Sequence, residues 1–141
     1  MRKKRKKSKR PVIFVQEYGT YTNEVLVAAG AAKEQVLSFL KRIKAKKDYI
    51  EWLRTDEKIW QLGKEKKGLF AWNDNVEGTL LLLRPHEDAW EYAETLIHEL
   101  HHLVQVFSKK AMMENEMEAQ AYLQEFLFRS IRQKLQKVEK S

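Results

Sequence analysis

Three of the chain's four histidines, His98, His101 and His102, fall within the five residues HELHH. In an α-helix, residues four apart lie one turn apart on the same face, separated by about 40° around the axis. The imidazoles of His98 and His102 can therefore reach one metal ion. Glu99 lies on the flank of that face, where its carboxylate can take a proton from water activated by the metal. The spacing predicts a zinc site held by His98 and His102, with Glu99 as general base.

The residues around this motif predict an amphipathic helix from about Asp88 to Phe107. At 3.6 residues per turn, several polar side chains share the face of the two histidines: Glu94, Thr95 and Gln105. The opposite side is apolar: Ala93, Leu96, Ile97, Leu100, Leu103, Val104 and Phe107. We therefore expect the helix to bury this apolar side and to present His98 and His102 on the other. His101 lies off the metal face and is expected to be a border residue.

A tetrahedral catalytic zinc site needs a third protein ligand in addition to water, and the chain contains no cysteine. A second long helix is predicted from about Met112 to Val138, after a break at Ser108–Ala111. Its helical phase places Glu116 in the middle of an apolar stripe: Met112, Met113, Ala119, Gln120, Leu123, Leu127 and Ile131. A buried carboxylate is costly unless it is paired or bound to metal, so Glu116 is the favoured third ligand.

Other groups compete with Glu116 for the third position. Glu118 and Glu114 lie close to it in the same segment, and His86 precedes the histidine helix. An ion pair between Glu116 and a buried lysine or arginine would also account for a carboxylate in the apolar stripe, without a metal.

The histidine motif and the segment that follows it resemble the gluzincin clan of zinc metallopeptidases. In several branches of that clan the glutamate ligand opens an E-x-x-A pattern, which Glu116 and Ala119 match, and Ala121 and Tyr122 match its continuation. The resemblance runs from Gly78 to about Glu125. It implies a zincin-like fold, a Zn²⁺ cofactor, Glu116 as ligand and hydrolysis of peptide bonds.

Two further features extend the resemblance. The short link between His102 and Glu116 is similar to that of minimal gluzincins and of peptidases encoded by mobile elements. The strand Gly78–Pro85 resembles the edge strand on which zincins bind an extended substrate. A substrate strand is therefore expected to pair antiparallel near Leu80–Leu83.

The elements that must position the site are predicted from hydrophobic periodicity. Four strands are expected: Pro11–Tyr18, Asn23–Ala29, Gly68–Asn73 and Gly78–Pro85. Helical patterns begin at Ala31 and again over Asp48–Leu62, where one helix or a pair of helices is expected. Leu80–Leu83 has no alternation, so both faces of that strand should be covered. The chain is therefore predicted to be a small α+β, zincin-like domain with a short mixed sheet, the HExxH helix and a following glutamate-bearing helix.

The basic charge of the chain is concentrated at its start. Met1–Arg10 holds eight of the 27 lysine and arginine residues, which leaves 19 against 20 acidic residues in the remainder. We expect residues 1–10 to form a disordered basic tail and residues 11–141 to form a single domain. Such a tail can contact nucleic acid, or it can act only as a solubilising leader.

Composition excludes several classes of protein and leaves two functions. Without cysteine there is no disulfide framework and no thiol nucleophile. No apolar stretch approaches the ~18 residues of a membrane span, so a cytoplasmic protein without membrane contact is expected. The leading hypothesis is a zinc-dependent endopeptidase acting on peptide or protein substrates. The alternative is a non-enzymatic, nucleic-acid-associated module that uses the tail and carries a structural or vestigial metal site.

Overall fold

The computed structural model describes residues 11–18, 23–84, 89–111 and 115–139, along which two strands, three helices, two strands and two helices follow one another. The elements are β1 (Val12–Tyr18), β2 (Asn23–Ala29), α1 (Lys33–Arg42), α2 (Lys47–Thr55), α3 (Glu57–Glu65), β3 (Gly68–Asn73), β4 (Gly78–Leu83), α4 (Ala89–Lys110) and α5 (Met117–Glu139). This content of five helices and four strands within the described ranges confirms the predicted α+β class. None of the helices in those ranges has both the length and the apolar character needed to cross a bilayer.

The strands form one mixed sheet in the order β1-β2-β4-β3. β1 and β2 are antiparallel, β2 and β4 are parallel with Leu26 opposite Leu80, and β3 and β4 are antiparallel with Gly68 opposite Leu83. β4 therefore lies inside the sheet. The expectation that Gly78–Pro85 supplies a substrate-binding edge is wrong, because β2 occupies the side of β4 that β3 leaves open.

Helices cover both faces of the sheet, as the run of leucines in β4 predicts. Leu81 and Leu83 belong to a core shared with α4 and α5. Leu80 and Leu82 belong to a second core shared with α1, α2 and α3. The sheet is thus the middle of three layers, and α4 lies on the face opposite the first three helices.

The predicted boundaries of the strands are close to those observed, whereas the ends of the two long helices differ. α4 does not break at Ser108 but continues to Lys110, because Ser108 is buried and the Lys110 ammonium forms a 2.8 Å salt bridge with Asp74 in the β3–β4 turn. α5 begins at Met117, later than expected. The helical segment between Asp48 and Leu62 is a pair of helices, which separate at Asp56.

Candidate metal centre

Two histidines of α4 face away from the core with their ring nitrogens close together. The apolar residues predicted to anchor this helix are largely buried: Leu96, Leu100, Leu103 and Val104. The side chain of His98 is 71% exposed, and its Nε2 lies 3.3 Å from Nε2 of His102. Two nitrogens bound tetrahedrally to one zinc ion, each at about 2.0–2.1 Å, would be about 3.3–3.4 Å apart. The pair therefore matches the separation that a shared zinc ion requires.

Glu99 completes a group of three side chains that suits a metal ion. One ligand atom from each of His98, Glu99 and His102 lies within 4.8 Å of the others, and this is the only such group that the described residues form. Oε1 of Glu99 is 3.9 Å from Nε2 of His98, which is too long for a direct hydrogen bond. The two exposed imidazoles provide the side from which an ion can enter.

The carboxylate of Glu99 is buried and only partly satisfied. Its side chain is 8% exposed, and its Oε2 has no hydrogen-bond partner among the described residues. Leaving a buried acceptor unpaired costs about 1–3 kcal/mol, and more for a charged group. A cation beside the carboxylate would offset this cost. The two converging imidazoles therefore fit the ligand chemistry of a divalent metal such as zinc, and the unsatisfied buried carboxylate beside them favours a cation at this position.

Gly68, the first residue of β3, allows Glu99 to occupy this position. A Cβ atom at residue 68 would lie 2.6 Å from Cγ2 of Thr95 and 3.0 Å from Cγ of Glu99. Because Gly68 has no side chain, α4 can approach the start of β3 closely. The Glu99 side chain therefore lies directly against the strand. The sequence analysis did not identify this role. A glycine opening a strand, in a chain with only five glycines, is the signal that indicates it.

The outer edge of β3 runs past this group. The amide of Arg84 donates to the carbonyl of Lys67 at 2.9 Å, which identifies the hydrogen-bonded positions of the β3–β4 ladder. By alternation, the N–H and C=O groups of Gly68, Phe70 and Trp72 point away from β4. No other strand in the described ranges pairs with this side of β3. An open main-chain edge therefore begins beside Glu99.

The predicted third ligand, Glu116, is not part of the three-residue group. Its side chain is exposed, so the expectation that it sits in a buried stripe is wrong. The reason is that α5 begins after it, and the buried positions lie further along that helix: Leu127, Ile131 and Leu135. Glu118 is also exposed and accepts a hydrogen bond from the Tyr122 hydroxyl at 3.3 Å. Glu114 and His86 lie outside the described residues.

A hydrogen bond between α5 and α4 indicates the approximate level of Glu116 along the histidine helix. The side-chain amide of Gln124 donates to the carbonyl of Ile97 at 3.3 Å, which sets the antiparallel register of the two helices. Both helices rise by about 1.5 Å per residue, so Met117 stands level with Val104, two residues beyond His102. The backbone of Glu116 thus lies within about one helical turn of the level of His102.

Two other predictions concern residues near or outside the group. His101 is exposed and its Nε2 lies 3.0 Å from the Gln105 amide nitrogen, which places it outside the group, as expected for a border residue. Residues 1–10 lie outside the described part of the chain, so contact between this basic segment and nucleic acid stays a prediction.

Comparisons of the chain with protein-family models, with curated proteins and with solved structures give no match. The interpretation of the centre therefore depends on the geometry of His98, Glu99 and His102 and on the strand edge beside them.

Proposed function

We propose that this protein is a zinc-dependent endopeptidase of the gluzincin type, in which His98 and His102 bind the metal and Glu99 is the general base. The observation that supports this most strongly is the 3.3 Å separation of the two Nε2 atoms beside the buried, unpaired Oε2 of Glu99. A histidine-bearing helix packed along an edge strand of a mixed sheet also supports a zincin-like fold.

The metal-binding residues and Glu99 have separate roles in the proposed reaction. A zinc ion held here would act as a Lewis acid and lower the pKa of a bound water to about 7. The Glu99 carboxylate, which lies against Gly68, takes a proton from water as the water oxygen bonds to the carbonyl carbon of the substrate. It then delivers that proton to the amide nitrogen as the C–N bond breaks, and the second proton of the water also passes to that nitrogen, so the products are a carboxylate and an ammonium group.

The outer edge of β3 replaces the expected edge at Leu80–Leu83 as the binding surface for substrate. An extended peptide can hydrogen-bond to the main chain of Gly68, Phe70 and Trp72, which brings one of its peptide bonds beside Glu99. The exposed Trp72 ring stacks on Phe70, with ring centroids 5.7 Å apart, and offers an apolar contact to a substrate side chain. Main-chain pairing of this kind suits an unfolded segment of a protein substrate.

Glu116 remains the proposed third ligand, and Glu118 is its nearest competitor. The Gln124–Ile97 hydrogen bond puts the backbone of Glu116 about level with the turn of α4 that follows His102, and the exposed Glu116 side chain is not packed. Glu118 is already engaged with Tyr122. The E-x-x-A pattern of gluzincins, which Glu116 and Ala119 match, also favours Glu116.

Hydrolysis of a mixture of unstructured fluorogenic peptides by the zinc-loaded protein tests this function. We expect Glu99→Gln to lose hydrolysis by about 10²-fold or more, since the amide cannot accept the proton, while the bound zinc is retained. Glu94→Gln is the matched control, because Glu94 is an exposed carboxylate on the same helix. Equal hydrolysis by the wild type and Glu99→Gln would contradict the proposal.

A further inference from the structure

A groove of about 730 Å³ lies between the sheet and the helices α1 and α3, on the face opposite α4 and α5. Its apolar walls include Ala28 of β2, Trp60 of α3, Leu69 of β3 and Leu82 of β4. The volume falls in the range of about 300–1,000 Å³ that is usual for small-molecule sites. The groove is therefore large enough for a ligand of the size of a nucleotide or an organic acid.

The groove occupies a topological switch point of the sheet. β2 and β4 are adjacent parallel strands; α1, the element after β2, packs on one face of the sheet, and α4, the element after β4, packs on the other. Proteins with parallel strands bind ligands in the crevice that such diverging connections open at the carboxyl ends of the strands. Gly30 stands at this crevice with φ of 67° and donates its amide proton to the Leu83 carbonyl at 2.9 Å.

Positive charge is concentrated around the groove. Four cationic residues line it, namely Lys33, Lys64, Lys66 and Arg84, together with two acidic residues, Glu34 and Glu57. Lys33 and Glu57 neutralise each other in a 2.9 Å salt bridge. Lys64, Lys66 and Arg84 form no salt bridge with any described residue. Their three positive charges face one remaining negative charge, that of Glu34, so the lining has an excess of two positive charges. Residues 11–141 carry almost no net charge, which makes this local excess distinctive.

We propose that the groove binds a small organic oxyanion, a phosphate or a carboxylate. Its anionic group meets Lys64, Lys66 and Arg84, and its apolar part lies against Trp60, Leu69 and Leu82. The groove lies on the face of the sheet opposite α4, which carries the histidine centre, and Gly68 is the residue that borders both sites.

Titration of the full-length, ¹⁵N-labelled protein, followed by NMR, tests this site. The probes are adenosine monophosphate, inorganic phosphate and citrate, each added alone. We expect saturable shifts of the Gly30, Ala31 and Lys33 amides, which line the groove away from the histidine centre. Adenosine monophosphate binding more tightly than inorganic phosphate would identify a phosphate ligand with an apolar body, and citrate binding most tightly would identify a carboxylate.

Variants that lack positive charges distinguish specific binding in the groove from general attraction of an anion to a basic protein. We expect Lys66→Gln with Arg84→Gln to weaken binding about tenfold or more, since two charged hydrogen bonds are lost. Lys47→Gln with Lys58→Gln is the matched control, because both lysines are exposed and lie outside the groove. His98→Ala should leave binding unchanged.

Three results would overturn the proposal. One is the absence of saturable shifts at the groove amides with every probe. Another is equal weakening of binding in the two double variants, which would indicate unspecific attraction. The third is a result with an acidic peptide added as a fourth probe: shifts of the same amides at lower concentration than any small oxyanion would assign the groove to a polypeptide partner.

Discussion

Glu99 lies against Gly68 so closely that a Cβ atom at residue 68 would stand 3.0 Å from its Cγ. This contact joins the start of β3 to the helix that carries both histidines. It explains how a carboxylate comes to be buried next to two exposed imidazoles, and it makes the position of Glu99 depend on a residue 31 positions earlier in the chain. The contact therefore links the stability of the fold to the proposed chemistry.

Gly68→Ala tests this link. The new methyl group would collide with Cγ2 of Thr95 at 2.6 Å, so α4 must shift or Glu99 must turn away. We expect the free energy of unfolding to fall by about 1–3 kcal/mol and peptide hydrolysis to fall with it, while zinc content is retained. Denaturant unfolding and the peptide assay measure the two effects. Unchanged stability together with full hydrolysis would show that the contact is not important.

Removing the buried charge of Glu99 should stabilise the metal-free protein. The unpaired Oε2 is a cost that only a cation or water relieves, so Glu99→Leu is expected to raise the free energy of unfolding by about 1 kcal/mol or more. Glu94→Leu, at an exposed position on the same helix, should change it by less than about 0.5 kcal/mol. Denaturant unfolding in the presence of a chelator measures both. A clear loss of stability in Glu99→Leu would mean that the carboxylate already has a stabilising partner.

The identity of the third ligand can be decided by zinc affinity. Glu116→Ala is expected to weaken zinc binding by about tenfold or more, because a carboxylate ligand is lost, whereas Glu118→Ala should leave the affinity nearly unchanged. Competition with a chromophoric chelator gives both constants. The reverse order would assign the role to Glu118, and no effect of either variant would direct attention to Glu114 or His86.

Stability at alkaline pH should fall because of buried tyrosines. Burial raises the pKa of Tyr18 from 10.0 to about 12, so the protonated phenol is favoured in the folded state. The contribution of Tyr18 to the free energy of unfolding is complete below about pH 10, the pKa of tyrosine in the unfolded chain, and is lost as the pH rises toward 12. We expect Tyr18→Phe to flatten the decline of unfolding free energy between pH 10 and 12. Tyr122→Phe is the control, since Tyr122 is 64% exposed, and the same decline in all three proteins would refute the assignment.

Tyr49 should contribute to the same decline. Burial raises its pKa strongly, the nearby Glu24 raises it further, and its hydroxyl donates to the Thr79 carbonyl at 2.7 Å. Its ionisation in the folded state would require that hydrogen bond to break.

Local patterns predicted most of the elements that carry the centre. The apolar periodicity of residues 93–107 predicted which side of α4 is buried, with Ile97 as the exception at 45% exposed. β2 and β3 have the predicted bounds, because alternation and turn residues delimit them within a few neighbouring positions. The placement of His98 and His102 on the exposed face follows from the same periodicity.

Features that depend on distant parts of the chain were not predictable in this way. The interior position of β4 results from its parallel pairing with β2, which lies 54 residues earlier. The late start of α5 removes Glu116 from the helical phase on which its predicted burial depended. The burial of Glu99 requires a close approach between α4 and Gly68 that no local pattern specifies.

The metal content of the purified protein, determined by elemental mass spectrometry after zinc reconstitution, tests the central claim most directly. We predict about one equivalent of zinc in the wild type and in His101→Ala, whose side chain lies outside the group, and its loss in His98→Ala and His102→Ala. Absence of zinc from the wild type, or equal zinc content in all four proteins, would contradict the account.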